Sequence, residues 1–348
     1  MSTRDQLLAA IAKTISTYRH GELPVATAEH VERWVNQFTP VNQFILLQEM
    51  NHMLGQFFLT KDWFVGYLSK LLRNINLAGN SPDVYWKNVN ILCIQKHGES
   101  QQEFIDILRL CLLEEFNISL DECGSEGGDY IYLDDVIFSG NRIGTDLEAW
   151  IREDAPDVAL INVIVAAYHT YGQYSLKKRL NRVISETGKA IQIQYWRNGT
   201  IENRNYYKNS SELLWPASIP NDRHVENYLA KPTNFRFEPR VMTDFLGPFS
   251  SVEGRNILEQ EFLIAGAKIV SKSENPKMVM RPLGYSPFGV GFGSLIITYR
   301  NCPNNCPLAI WWGDPEVTSG PLNWYPLLPR RTYSTVSFDI NDFIFRQK

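Results

Sequence analysis

The distribution of apolar residues divides the chain into a helical first part and a second part in which strands and helices alternate. Between about residues 3 and 80, apolar side chains recur every three or four positions, for example at Val31, Trp34, Val35 and Phe38. This is the spacing of one buried helix face. A turn-forming cluster at residues 78–82 ends the pattern. We therefore predict an N-terminal helical region, residues 1–84, whose aromatic side chains form a core.

Four apolar runs follow, and segments of helical periodicity separate them. The runs lie at residues 88–94, 130–138, 158–167 and 190–195. The third run is almost wholly apolar, as expected of a strand that is covered on both faces. Strands that alternate with helices predict a mostly parallel sheet flanked by helices. We therefore assign residues 85–235 to an α/β core.

The last part of the chain, residues 236–348, is rich in Gly, Pro, Asn and Trp. It contains one strong predicted strand, at residues 294–299. We predict a separate α+β block that covers the core like a hood. Within it, Asn304 and Asn305 stand near aromatic residues and could bind a base through their amides. The alternative is a Pro- and Trp-rich packing loop, and the sequence leaves both interpretations open.

Composition narrows the class of protein. The chain has 348 residues, of which 44% are hydrophobic, and a formal net charge of -4, so it resembles a folded domain rather than a general nucleic-acid binder. The first residues lack the apolar core of a secretory signal, and no later run is long and uncharged enough to span a bilayer. Five cysteines without such a signal fit reduced thiols. We expect a cytoplasmic protein that does not bind membranes.

The strongest chemical signal lies in the segment 128–142. Its apolar run leads into two adjacent carboxylates, and a Ser-Gly turn then precedes a helix-like segment. This order places an acidic pair and a phosphate-sized cradle at the carboxyl end of a strand, where ligands bind in parallel sheets. An isolated Asp-Asp pair is commonly structural, but the complete order favours a sugar-phosphate site. The residues that we expect in this site are Asp134, Asp135, Ser139, Gly140, Asn141 and Arg142.

Two other strand ends carry candidate residues. The loop 95–101 joins the first predicted strand of the core to a helix, and its Lys96, Gly98 and Ser100 could bind an anion. An ordinary strand-to-helix turn would have a similar sequence. His169 follows the apolar run 158–167, where an imidazole could transfer protons, although a single His at a strand end is often structural.

The segment 130–142 resembles the phosphoribosyl-diphosphate (PRPP) binding motif of type I phosphoribosyltransferases. Further segments extend the resemblance to the phosphoribosyltransferase-like, PRTase-CE type, effector family of bacterial anti-phage conflict systems, which includes retron-associated members. The resemblance implies a type I phosphoribosyltransferase-like fold. The sequence departs from the motif at Arg142, where Thr or Ser is usual, and it leaves little room for a long catalytic loop. The further matching segments are 31–38, 98–101, 281–284, 301–307 and 324–330.

The resemblance also implies a chemistry. Asp134 and Asp135 would orient ribose hydroxyls directly or through a substrate-bridged Mg²⁺, and Lys96 would stabilise a departing diphosphate. The implied function is Mg²⁺-assisted glycosyl transfer or cleavage at ribose C1′ of PRPP or a nucleotide, toxic when a partner releases the effector. The partner would be a reverse transcriptase with its non-coding RNA, or an ATPase, and an oligomer is compatible with this. The alternatives are a non-catalytic nucleotide or PRPP sensor and a scaffold that regulates a partner protein or ribonucleoprotein.

Overall fold

A computed structural model describes residues 2–95, 100–231, 237–273, 276–287 and 289–330 of the chain. The helices of the described residues are α1 (Arg4–Thr14), α2 (Ala28–Val35), α3 (Gln43–Phe57), α4 (Lys61–Leu72), α5 (Ile75–Ala78), α6 (Pro82–Asn88), α7 (Ser100–Phe116), α8 (Asn141–Glu153), α9 (Thr170–Thr187), α10 (Arg223–Leu229), α11 (Val252–Ser271) and α12 (Leu308–Trp311). Their strands are β1 (Phe58–Leu59), β2 (Asn90–Ile91), β3 (Tyr130–Leu133), β4 (Val136–Ile137), β5 (Val158–Ile164), β6 (Ala167–His169), β7 (Ala190–Trp196), β8 (Gly199–Ile201) and β9 (Ile297–Thr298). The predicted class, an α/β fold with mostly parallel sheets flanked by helices, is confirmed. None of the described helices has the length and apolar character needed to cross a membrane.

The larger sheet contains four parallel strands in the order β2-β3-β5-β7. Its longest pairing joins β5 and β7, from Val158 opposite Ala190 to Ile164 opposite Trp196. Helices α8 and α9 bury one face of these strands in a core of aliphatic and aromatic side chains. Members of this core with no exposed surface are Tyr132, Leu147, Ile151, Ile161, Val163, Leu180 and Val183.

Three neighbouring strands of this sheet are interrupted at the same level. After two residues each, β3, β5 and β7 continue as β4, β6 and β8, which form a second parallel sheet in the order β4-β6-β8. The interruptions lie at residues 134–135, 165–166 and 197–198. Backbone hydrogen bonds still cross them: Asp134 N donates to Ile164 O at 3.1 Å, and Ala166 N donates to Asp135 O at 2.8 Å. The acidic pair therefore occupies a break between two sheets.

The carboxylates themselves explain the break in the first of these strands. Asp134 Oδ1 accepts from Asp135 N at 2.9 Å, and Asp135 Oδ1 accepts from Val136 N at 2.6 Å. Short acidic side chains compete in this way with strand pairing for backbone N–H groups. The strand that leads into the acidic pair agrees with the prediction from the sequence, whereas the second sheet beyond it was not predicted.

The described residues form two compact units, 61–202 and 2–60 together with 203–330. The unit 61–202 contains the two parallel sheets and the acidic pair. The predicted domains, residues 1–84, 85–235 and 236–348, have other limits, and that division stays a prediction.

The unit formed by residues 2–60 and 203–330 is mainly helical. Helix α11 packs on α3 and carries Glu259, which is fully buried and paired with Arg240 and Arg255 at 2.9 Å each. The predicted strand 294–299 is wrong in extent, because only Ile297–Thr298 pair, with β1. Outside this pair the backbone turns on itself: Ile296 N donates to Ser294 Oγ, and Asn301 N donates to Thr298 O.

Candidate functional site

The Ser139-Gly140 turn is fixed by its contact with helix α9. Gly140 has a φ of 75°, in the left-handed region that favours glycine, and it directly precedes α8. A Cβ at Gly140 would lie 2.7 Å from Gly172 O, and a Cβ at Gly172 would lie 1.9 Å from Phe138 O. Neither position can hold a side chain without moving the backbone. The result is a tight turn at the N-terminus of a helix, a geometry that suits a phosphate.

Asn141, the first residue of α8, is held by an arginine that the sequence analysis did not identify. Arg179 of α9 donates through Nη1 to Asn141 O at 3.3 Å and to Asn141 Oδ1 at 3.2 Å. Its Nε donates to Glu148 Oε2 at 2.7 Å, which anchors the guanidinium on α8. Arg179 therefore orients Asn141 beside the turn. Nothing in the sequence indicates the contact, because it joins residues 38 positions apart.

The two adjacent carboxyl groups have different environments. Asp134 is buried, with 5% of its surface exposed, whereas Asp135 is partly exposed. Burial and, secondarily, the charge of Asp135 raise the pKa of Asp134 to about 7, although the Arg142 guanidinium acts in the opposite direction. Near neutral pH Asp134 therefore exists in both protonation states. Its protonated form can donate a hydrogen bond, for example to a sugar oxygen.

Ser100 joins the acidic pair to the start of helix α7. Its Oγ lies 3.3 Å from Asp134 Oδ1 and 3.5 Å from Arg142 Nη1. The structure thus brings together three of the residues predicted from different segments of the sequence: Ser100, Asp134 and Arg142. Lys96 and Gly98 lie outside the described residues, so their roles stay predictions.

Two glutamines beside Ser100 were missed by the sequence analysis. Gln101 Oε1 accepts from the backbone N–H groups of Ile94 and Gln95 at 2.8 Å each. Gln95 Oε1 accepts from Ser100 Oγ and from Gln101 N at 3.1 Å each. The Nε2 atoms of both glutamines are buried and have no hydrogen-bond partner among the described residues. Since burying unpaired donors is unfavourable, these amides are suited to receive the oxygen atoms of a ligand.

His169 lies at the end of β6 and is fully buried. Its Nδ1 lies 3.0 Å from Ile137 O, and its ring stacks on Phe138 with centroids 5.1 Å apart. Burial lowers the pKa of His169 to about 4, so the ring is neutral at physiological pH. These contacts favour the structural alternative, in which His169 supports the strand that leads into the turn. Its predicted role in proton transfer stays a prediction.

The burial of His169 predicts a loss of stability in acid. Its pKa falls from 6.5 to about 4 on folding, so the unfolded chain binds a proton in this interval that the folded chain does not. We expect this group alone to reduce the free energy of unfolding by up to about 3 kcal/mol between pH 7 and pH 4. Urea denaturation across this range should show a flatter pH dependence for His169→Gln than for the wild type. His20→Gln, at an exposed position, is the control; identical pH dependence in all three proteins would contradict the prediction.

Asn304 and Asn305 belong to the unit formed by residues 2–60 and 203–330. Asn305 Nδ2 donates to Tyr285 O at 3.1 Å, and Tyr285 N donates to Asn304 O at 2.7 Å. The two residues therefore hold the segment 300–307 against Tyr285, as the packing alternative requires. Their role in binding a base stays a prediction.

The donor set around the acidic pair fits a metal ion that a substrate carries. Among the described residues no cluster of three or more His, Cys, Asp or Glu side chains could hold a metal ion. Asp134 is buried and Asp135 is partly exposed, which makes Asp135 the more accessible carboxylate. Mg²⁺ prefers oxygen ligands and commonly takes most of them from phosphates and water. Asp135 could therefore bind a substrate-bridged Mg²⁺, directly or through water.

The parallel sheets and their flanking helices are consistent with a phosphoribosyltransferase-like fold. A family model described as PRTase-CE matches residues 31–330, and the chain belongs to this family. No curated protein and no solved structure matches the chain.

Proposed function

We propose that the protein is an effector enzyme that binds PRPP or a nucleotide and transfers or cleaves the glycosidic bond at ribose C1′. The observation that carries this proposal is the contact of Asp134 with Ser100, beside Arg142 and the Gly140 turn. These residues place carboxyl groups, a cation and a helix N-terminus within one site. A ribose phosphate offers matching groups, namely hydroxyls and phosphate oxygens.

Each part of the site has a chemical role in this proposal. The turn at Ser139 and Gly140, with Asn141 and Arg142, holds the 5′-phosphate. Asp134 and Asp135 hold the ribose hydroxyls and stabilise the positive charge that develops on the sugar as the bond at C1′ breaks. A Mg²⁺ bound with the substrate would supply charge neutralisation of the diphosphate.

The leaving group would meet the donors around the start of α7. Ser100 and the buried amides of Gln95 and Gln101 are hydrogen-bond donors to phosphate or base oxygens. We assign Lys96 to the same role, and we propose that Gly98 allows the ligand to approach the backbone closely. We assign His169 to the base side of the ligand, and base binding by Asn304 and Asn305 stays a separate prediction.

In the cell, we propose that this activity serves anti-phage defence. The support is the resemblance to effectors of bacterial conflict systems. The protein would act in the cytoplasm and become toxic when its partner, a reverse transcriptase with its non-coding RNA or an ATPase, releases it.

A non-catalytic sensor is the second candidate function. His169, the predicted proton-transfer residue, is buried, neutral and held against Ile137 O. With His169 unable to transfer protons, the site would bind a ribose phosphate without turnover and report its concentration to a partner, whether protein or ribonucleoprotein.

The test is incubation of the purified protein with Mg²⁺ and a panel of PRPP and nucleotides, with products read by mass spectrometry. We expect a product in which the bond at C1′ is broken, and none from Asp134→Asn combined with Asp135→Asn. Asp154→Asn combined with Asp157→Asn removes the same charge at exposed positions of the same unit and is the control. Calorimetric binding without any product would support the sensor. Absence of both binding and product would overturn both proposals.

A further inference from the structure

We propose that Arg142 is a built-in counter-cation for a diphosphate ligand, so that the site binds its ligand without requiring Mg²⁺. This inference rests on the proposed function, since it concerns the same ribose-phosphate site. To the proposed function it adds the identity of the group that compensates the negative charge of the ligand.

The position of Arg142 suits contact with a diphosphate. Arg142 is the second residue of α8, directly after the glycine turn, yet its side chain extends toward the start of α7. Its Nη1 lies 3.5 Å from Ser100 Oγ, and Ser100 also contacts Asp134 and Gln95. The guanidinium therefore lies between the phosphate turn and the glutamine pair, where a diphosphate on ribose C1 would extend.

Arg142 has no carboxylate partner at ion-pair distance among the described residues. The residue is also exposed. Arg152 and Arg179, which flank it on α8 and α9, are both paired with Glu148. Apart from the long contact of Nη1 of Arg142 with Ser100, its planar guanidinium is open, and such a group can bind two phosphate oxygens at once.

The charge of a diphosphate requires donors and a cation beside the two carboxyl groups. A diphosphate approaching Asp134 and Asp135 brings several negative charges next to two carboxyl groups, which demands compensation. A Thr or Ser at position 142 would offer one hydroxyl and no charge. Arg142 adds a full positive charge, and the unpaired Nε2 atoms of Gln95 and Gln101 add neutral donors. Together these groups compensate the negative charge of the ligand, which a metal ion would otherwise have to do for binding.

The experiment is calorimetric titration of the full-length protein with PRPP and with inorganic diphosphate, in excess EDTA and in Mg²⁺. For the wild type we expect dissociation constants in the two media that agree within about threefold. Arg142→Thr, which introduces the usual hydroxyl, should bind at least about thirtyfold more weakly in EDTA and recover most of this loss in Mg²⁺. Circular dichroism confirms that each variant is folded.

Arg152→Thr is the matched control, because it makes the same change on the same helix at a distance from the turn. It should bind like the wild type in both media. Wild-type binding that appears only with Mg²⁺ would overturn the inference and leave the proposed function intact. Equal binding by Arg142→Thr and wild type in EDTA, or a loss that Mg²⁺ does not restore, would also overturn it. No binding by the wild type in either medium would instead refute the proposed function.

Discussion

Asp134→Asn should stabilise the folded protein at pH 8 and abolish its binding of a ribose phosphate. The pKa of Asp134 rises from 3.8 to about 7 on folding, chiefly because the carboxyl group is buried. Between these values the folded chain holds a proton that the unfolded chain releases, so the stability contributed by this group falls as pH rises toward 7. Above pH 7 the charged carboxylate is buried at its full cost. Asparagine has nearly the same shape and carries no charge.

A pKa change of this size limits the gain to about 4 kcal/mol, and we expect about 2 kcal/mol because the Asn amide must also be desolvated. Thermal unfolding of wild type and variant at pH 5 and pH 8 measures it: the difference in midpoint should grow with pH. Asp154→Asn, at an exposed position of the same unit, should show no such growth. A variant that is destabilised at pH 8, or that still binds PRPP in calorimetry, would refute the assignment of Asp134 as a functional residue kept at the expense of stability.

Gly172→Ala should have the largest destabilising effect of the single substitutions considered. Gly172 lies in the first turn of α9, and an added Cβ would lie 1.9 Å from Phe138 O, so the backbone of one segment must move. We expect a loss of more than about 3 kcal/mol in the free energy of unfolding. The displaced segment contains the Ser139-Gly140 turn, so PRPP binding should be lost as well.

Gly66→Ala is the matched control, since Gly66 is also a helical glycine of the same unit but nothing lies within 4 Å of its added Cβ. Alanine should stabilise that helix by about 0.5–1 kcal/mol. Urea denaturation and calorimetry measure the two effects. If both substitutions change stability by the same amount, close packing of α9 on the turn is not what positions the phosphate site.

Burial periodicity was sufficient to predict the layered fold and the main elements around the acidic pair. Residues on both faces of the apolar run 158–167 are buried from Ile161 to Ile164, so its composition alone identified β5. The acid–turn–helix order predicted the start of α8, because a glycine directly before a helix can adopt the left-handed backbone conformation that such a turn requires. Contacts such as that between Ser100 and Asp134 followed from the rule that parallel strands end at one edge.

The features that the sequence did not reveal depend on long-range pairing. The second sheet consists of strands of two or three residues, too short for any periodic signal. Gln95 and Gln101 contact each other only because the fold brings the two ends of one loop together. Arg179 contacts Asn141 only because α9 packs on α8. No local sequence pattern indicates such long-range contacts.

The interruption shared by three strands has a consequence for the thermodynamics of ligand binding. The peptide groups of Asp134 and Asp135 form hydrogen bonds with Ile164 and Ala166 of the neighbouring strand segment. The backbone of the acidic pair is thus preorganised, and little of its conformational entropy remains to be lost when a ligand arrives. The entropic cost of association then falls on the sugar phosphate and on exposed side chains such as Arg142. Amide hydrogen exchange at Asp134 and Ala166 should accordingly be slow before any ligand is added.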